Sequence, residues 1–187
     1  MNVKGTVFTT TKATVIEAFG DQRWNSFMAK LAEKDKYFKN SIIMSITPIP
    51  LEKIILFFDE LIDDCFNSDK NAYVMFGMVG AKFGLSSKGP YSSFLLSKDL
   101  KKFVESAIPK LWETYYDAGI VTARLENNVV YVKITGFPIK HVYFEKLLMA
   151  FFQQTLKVFG KKSVATMVRS LAMGDNDLYF KYELKNS

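Results

Sequence analysis

The chain holds one histidine, His141, and one cysteine, Cys65, and these two side chains bound the chemistry open to it. Most nucleophile–base schemes need an imidazole or a thiolate with a partner within hydrogen-bond reach. No Ser–His–Asp set, Cys–His pair, phosphate loop or paired-carboxylate motif is found, so an enzyme is not expected. A lone cysteine excludes an intramolecular disulfide and a Cys-based zinc centre. His141 stands in TGFPIKHVY, just past Pro138, and its neighbours Tyr143 and Glu145 make a poor metal set. Its plain reading is a polar residue in the first turn of a helix. Haem needs an axial ligand and usually partners for its propionates. Neither is in view, so the expectation is no cofactor, haem included.

Three other groupings could do chemistry. Asp59, Glu60, Asp63 and Asp64 cluster late in a helix with like charges at i,i+4, which repel mildly and oppose the helix dipole. A solvated face, a divalent cation and a basic partner all remain open for them. Cys65 lies on the apolar side of the same helix, as a small core residue or a contact for an apolar ligand. Met75, Phe76 and Phe83 in NAYVMFGMVGAKFGL, and Trp112 and Tyr116 further on, are large and adaptable enough to line a pocket or to fill a core. The candidate ligand-binding set is therefore Cys65, Met75, Phe76, Phe83, Trp112 and Tyr116.

Composition narrows the partners. The 187 residues are 49% hydrophobic and 24% charged, with 17 Phe and 9 Tyr, which is enough for one domain with a large aromatic core. The net charge of +6 comes from scattered lysines separated by acids. The arginines are Arg23, Arg124 and Arg169 alone, so no stripe suited to nucleic acid is present. No window of about 18 residues is free of charge or proline, so no membrane span is expected. The first residues lack an apolar leader core. The expected location is the cytoplasm.

The elements that must position these residues follow from periodicity. An extended start from Val3 to Phe8 leads to two helices, the second with Asp21 as its N-cap. The clearest helix opens at Pro50, with Leu51, Ile54, Ile55, Phe58, Leu61, Ile62 and Cys65 at helical spacing. NAYVMFGMVGAKFGL predicts a buried helix in which Gly77, Gly80 and Gly84 are costly unless another backbone or a ligand packs close. A further helix follows, with a kink or junction at Pro109. The period then changes to two. Strands around a turn at Glu126-Asn127-Asn128 form a hairpin, a long helix closes on Gly160, and a second hairpin turns at GDND. The prediction is an α+β fold. A mostly helical layer (1–118) precedes a β-hairpin–helix–β-hairpin half (119–187), with a four-stranded antiparallel sheet, in a single domain over 1–187.

The string W-x-x-Y-Y-D-x-G from Trp112 to Gly119, the GFP from Gly136 to Pro138, and G-D-x-x-x-x-F from Gly174 to Phe180 resemble an uncharacterised bacterial family of the myxobacterial type. That family is related to 4-vinyl-reductase domains, H-NOX haem sensors and TRAPP subunits. The resemblance implies an H-NOX/TRAPP-like ligand-binding fold in which a helical layer and a sheet enclose an apolar pocket. Leu178 stands where many 4-vinyl-reductase domains carry a cysteine. The strand Tyr131-Val-Lys133-Ile-Thr135 replaces the haem-propionate motif of H-NOX sensors, and no histidine precedes it. The expected function is a cytoplasmic, sensor-type domain binding an apolar or partly apolar small molecule and signalling through a partner or a homodimer. The alternative is a ligand-free dimerisation or scaffolding module.

Overall fold

The computed structural model describes residues 1–87, 89–96 and 98–185. They group into two compact units, Met1–Ala72 and Tyr73–Ser187, so the expected division at 118–119 falls inside the second.

In the first unit, strand β1 (Asn2–Lys4) pairs antiparallel with β2 (Pro48–Pro50), with Val3 opposite Ile49 and both fully buried. The extended start ends sooner than expected. The Gly5 and Thr6 N–H groups donate to the Thr47 and Ser45 carbonyls at 2.7 and 2.8 Å, and helix α1 begins at once (Thr6–Phe19). Gly20, at φ +83°, separates α1 from α2 (Asp21–Lys34). Gly20 is the cap there, and Asp21 is the first helical residue, where its charge suits the helix dipole. Helix α3 (Lys36–Asn40), which periodicity did not reveal, is capped by the Asp35 side chain.

Helix α4 (Leu51–Cys65) buries Leu51, Ile54, Ile55, Phe58, Leu61 and Ile62, as its spacing predicts, and also Phe57, while Cys65 is half-buried and Pro50 serves as cap rather than as first-turn residue. Phe57 sits within 6.3 Å of the rings of Phe8, Trp24, Phe27, Phe38 and Phe58. Burying each such ring contributes about 1.5–3 kcal/mol. Three acids of α4 have basic partners within this unit. Asp64 pairs with Arg23 and Lys30, Glu60 with Lys34, and Asp63 with Lys70.

The second unit starts within helix α5 (Asn71–Gly84). A 3-10 turn (Ser92–Leu95) leads to α6 (Leu100–Lys102), a π-helical turn (Phe103–Ala107) and α7 (Ile108–Tyr115). Pro109 lacks an N–H and its ring crowds the carbonyl four residues back. The chain widens there, and Ile108 N–H bonds five residues back to Phe103. This is the junction expected at Pro109.

Strands β3 (Ile120–Glu126) and β4 (Val129–Thr135) form the first hairpin. Asn127 and Asn128 have φ of +48° and +63°, values that a two-residue hairpin turn requires and asparagine tolerates. After α8 (Val142–Val158), β5 (Ser163–Arg169) and β6 (Leu178–Leu184) form the second. The sheet is four-stranded and antiparallel in the order β3-β4-β6-β5, with the two hairpins joined through β4 and β6. Val130, Val132, Ile134, Leu178, Phe180, Tyr182 and Leu184 alternate onto the buried face. The Tyr182 hydroxyl there donates to the Met149 carbonyl of α8 at 3.0 Å.

Candidate functional site

Trp112, near the end of α7, organises one edge of the second unit. Its ring stacks on Tyr116 at 3.9 Å, and its Nε1–H donates to the carbonyls of Ala118 and Gly119 at 3.2 Å each. Gly119 and Gly136 both need positive φ, +80° and +69°, to bring the two ends of the β3–β4 hairpin together. A Cβ at Gly136 would lie 3.9 Å from the Gly119 Cα. Phe137 then reaches back to Trp112 at 5.9 Å and forward to Phe144 of α8 at 6.3 Å. The W-x-x-Y-Y-D-x-G and GFP strings therefore meet in space. The third string is also a junction. Gly174 is left-handed at φ +102°, the Asp175 carboxylate accepts from Ser170 N–H at 2.8 Å, and Phe180 is fully buried. Beside it, Glu145 of α8, wholly buried, accepts from Ser170 Oγ–H and from Ala172 N–H at 2.9 Å.

The glycines of α5 have distinct causes. A Cβ on Gly77 would overlap the Leu147 carbonyl of α8 and come within 3.2 Å of the Phe151 nitrogen. Another backbone, not a ligand, explains it. A Cβ on Gly84 would overlap the Tyr115 hydroxyl, whereas one on Gly80 would meet only the Phe151 ring at 3.9 Å. With that side held against α8, α5 leaves Met78 38% and Phe83 48% exposed and Met75 half-buried.

The face of the sheet turned away from the buried alternation carries a second arrangement. A groove of about 430 Å³ is lined by Arg124, Tyr131, Lys133, Arg169 and Tyr179, with Thr122 and Ala123. The register places Arg124 opposite Tyr131 and sets Lys133 and Arg169 on either side of Tyr179. Each guanidinium covers a ring: Arg124 lies 4.9 Å from the Tyr131 centroid and Arg169 lies 4.6 Å from that of Tyr179. Asp177 holds Arg169 at 2.5 Å and Lys133 at 3.2 Å, while Glu126 holds Arg124 at 3.1 Å. The groove suits recognition of polar or anionic groups and offers no nucleophile–base pair. Period-two alternation marks these residues in sequence, but only the strand order brings them into one surface.

The structure places the sequence-derived candidates as follows. Trp112 and Phe76 are buried, at 2% and 4% exposure, and Tyr116 is half-buried, its hydroxyl pKa pushed up by burial. Met75 and Phe83 lie on the open side of α5. Cys65 belongs to the first unit; it is half-buried, burial pushes its thiol pKa up, and its Sγ lies 3.8 Å from Asp64 Oδ2. The five others belong to the second unit, and neither groove nor strand edge gathers all six. His141 is the N-cap of α8, where its Nδ1 accepts from Phe144 N–H at 3.0 Å. Its ring packs on Tyr73 at 5.5 Å and Tyr143 at 6.1 Å. Among the described residues no group of three or more His, Cys, Asp and Glu is placed to hold a metal ion, and no helix is long and apolar enough to cross a membrane.

No protein-family model matches the chain, and no curated protein does. Solved structures do match it. An H-NOX protein from S. oneidensis in the Fe(II)NO ligation state aligns with a TM-score of 0.70 and 15% identity, covering 98% of this chain and 99% of that one. The NMR structure of an H-NOX domain from Shewanella oneidensis in the Fe(II)CO state gives 0.67 and 17%, with coverage of 98% and 99%. A structure described as probing heme distortion in the H-NOX family gives 0.68 and 13%, with coverage of 98% and 95%.

These likenesses overturn the expectation of no cofactor, since proteins of this architecture are described with Fe(II) and heme. That expectation rested on the position of one histidine and on one strand motif, and a fold match at 13–17% identity is not limited by either. In this chain His141 is the one imidazole, and its Nδ1 is engaged as the cap of α8. Over 98% of its length, the polypeptide has an H-NOX-like fold.

Proposed function

We propose that this chain is a sensor-type domain that binds a small molecule. The observation that carries the reading is the match to H-NOX structures over 98% of this chain at a TM-score of 0.70. The same coverage supports treating residues 1–187 as one functional domain. The ligand is apolar or partly apolar, and on the second unit it meets the half-open side of α5 that carries Met75 and Phe83. Ligand binding shifts the population of two packings of these helices and so changes a partner or dimer contact. The meeting of the W-x-x-Y-Y-D-x-G and GFP strings supports a relation to the 4-vinyl-reductase and TRAPP lineages as well.

Haem is the first ligand to test, because the matched proteins are described with it. Purified protein is analysed by native mass spectrometry and then titrated with haem while absorbance is followed. A retained apolar mass, or a Soret band that saturates at one equivalent, supports the reading. Protein that carries no such mass and leaves the spectrum of added haem unchanged removes it. The exposed Met78 and Phe83 favour, as a second reading, a module that acts through protein contact alone. A dimer in light scattering that Phe83→Ser dissociates, in protein free of any ligand, selects that reading.

A further inference from the structure

At the far end of α8 a second cavity, of about 260 Å³, opens between the last helical turn, the start of β5 and the end of β6. Its lining includes Gln153, Gln154, Lys157, Lys162, Ser163 and Lys185, and no acidic side chain. We propose that it is an oxyanion site taking a phosphate group. The inference does not rest on the helical ligand surface proposed above.

One neutral group in this cavity is buried without a partner: the Ser163 hydroxyl oxygen has no hydrogen bond. Gln154, 8% exposed, adds its side-chain amide to the same lining. Buried polar groups in native proteins are almost always satisfied, so an exception in a recess lined by lysines indicates a ligand that satisfies it. The amide NH₂ and the hydroxyl can both donate, which suits an acceptor-only group.

The charges point the same way. Lys157, Lys162 and Lys185 form no ion pair among the described residues, although the basic side chains of the sheet face find acids. Two of these lysines are fixed relative to each other, since Lys185 N–H donates to the Lys162 carbonyl at 2.9 Å across the strand pair. The mouth is held by Gln153, whose Nε2–H donates to the Ser163 carbonyl at 2.8 Å. Three cations around two neutral donors match the acceptor oxygens and double charge of a phosphate. A metal ion is disfavoured by the same set, which lacks a carboxylate or an imidazole.

The test uses inorganic phosphate against chloride at equal ionic strength, with proton–nitrogen correlation NMR following the backbone amides of Ser163 and Lys185. A saturable phosphate-specific shift is expected. Lys162→Gln and Lys185→Gln, both at exposed positions, each weaken it about 3–10-fold through the loss of one charge near a partly buried anion. Gln154→Leu, which keeps the side-chain volume, abolishes saturation. Lys101→Gln on α6 leaves binding unchanged. Glycerol phosphate and vesicles containing phosphatidate identify whether a soluble phosphate ester or a lipid headgroup is the source, and binding of either supports the site. Equal shifts with chloride, or equal weakening by Lys101→Gln, overturn it.

Discussion

Replacing Gly77 by alanine tests the packing of α5 on α8 most directly. In a helix interior, alanine is preferred to glycine by about 1 kcal/mol, so propensity alone predicts stabilisation. The structure reverses the sign. The added Cβ would lie 3.0 Å from the Leu147 carbonyl carbon and 3.2 Å from the Phe151 nitrogen, and it would overlap the Leu147 oxygen outright. These are backbone atoms of α8 and cannot rotate aside, so the two helices must separate by ~1 Å along much of their contact. Overpacking of this kind costs about 3 kcal/mol or slightly more, which leaves a net loss of about 2 kcal/mol. In a chain of this length that corresponds to a fall in Tm of roughly 4–8 °C. Gly80→Ala, one turn on, is the internal control. Its Cβ would meet only the Phe151 ring at an ordinary 3.9 Å, and a gain of about 0.5–1 kcal/mol is expected. Urea unfolding of both variants beside the parent measures the difference. If Gly77→Ala proves as stable as Gly80→Ala, the close approach of α5 to α8 is wrong.

Other consequences are equally direct. Trp112→Phe removes the Nε1–H that serves the Ala118 and Gly119 carbonyls and shrinks the stack on Tyr116; a loss of about 2–3 kcal/mol is expected in denaturant unfolding. The Lys53 ammonium and the Tyr37 N–H hold the Asp35 carboxyl below the usual carboxylate range. Its contribution is therefore present above the unfolded-state pKa and lost as pH falls through the lower folded value, and Asp35→Asn should flatten the acid limb of a Tm-against-pH profile. Burial pushes the Cys65 thiol upward, so thiol reagents at pH ~8 should modify it more slowly than free cysteine and reach the free rate only in denaturant.

Much of the second unit was legible beforehand. The Asn127-Asn128 turn, the hairpins, α8 and the sheet's buried residues follow from period, turn chemistry and flanking glycines. In the first unit β2 and α3 escaped notice, because three-residue strands and five-residue helices are too short to show a period. The extended run that Val3–Phe8 suggests stops at Lys4, since a bond from Gly5 N–H to a residue 42 positions on ends the strand. The candidate site was legible only in part. Tyr116, Trp112 and Phe76 could be named as large aromatics, but not separated into buried anchors and open contacts. The oxyanion cavity carried no signal at all, because Gln154, Ser163 and Lys185 come from three elements.

Residue order by itself determined the class of fold, the turn and helix boundaries around Gly136 and Pro138, and the place of His141 at a helix start. Each of these depends on local spacing or on which side chains exist. Tertiary structure decided which cations find acids among the described residues, which backbones touch at Gly77 and that the Ser163 hydroxyl is buried without a partner. Those properties depend on distances between segments remote in sequence, set by strand order and helix packing, and no local pattern encodes them. It also restored haem as a ligand to test, since a fold can persist at 13–17% identity after sequence motifs have changed.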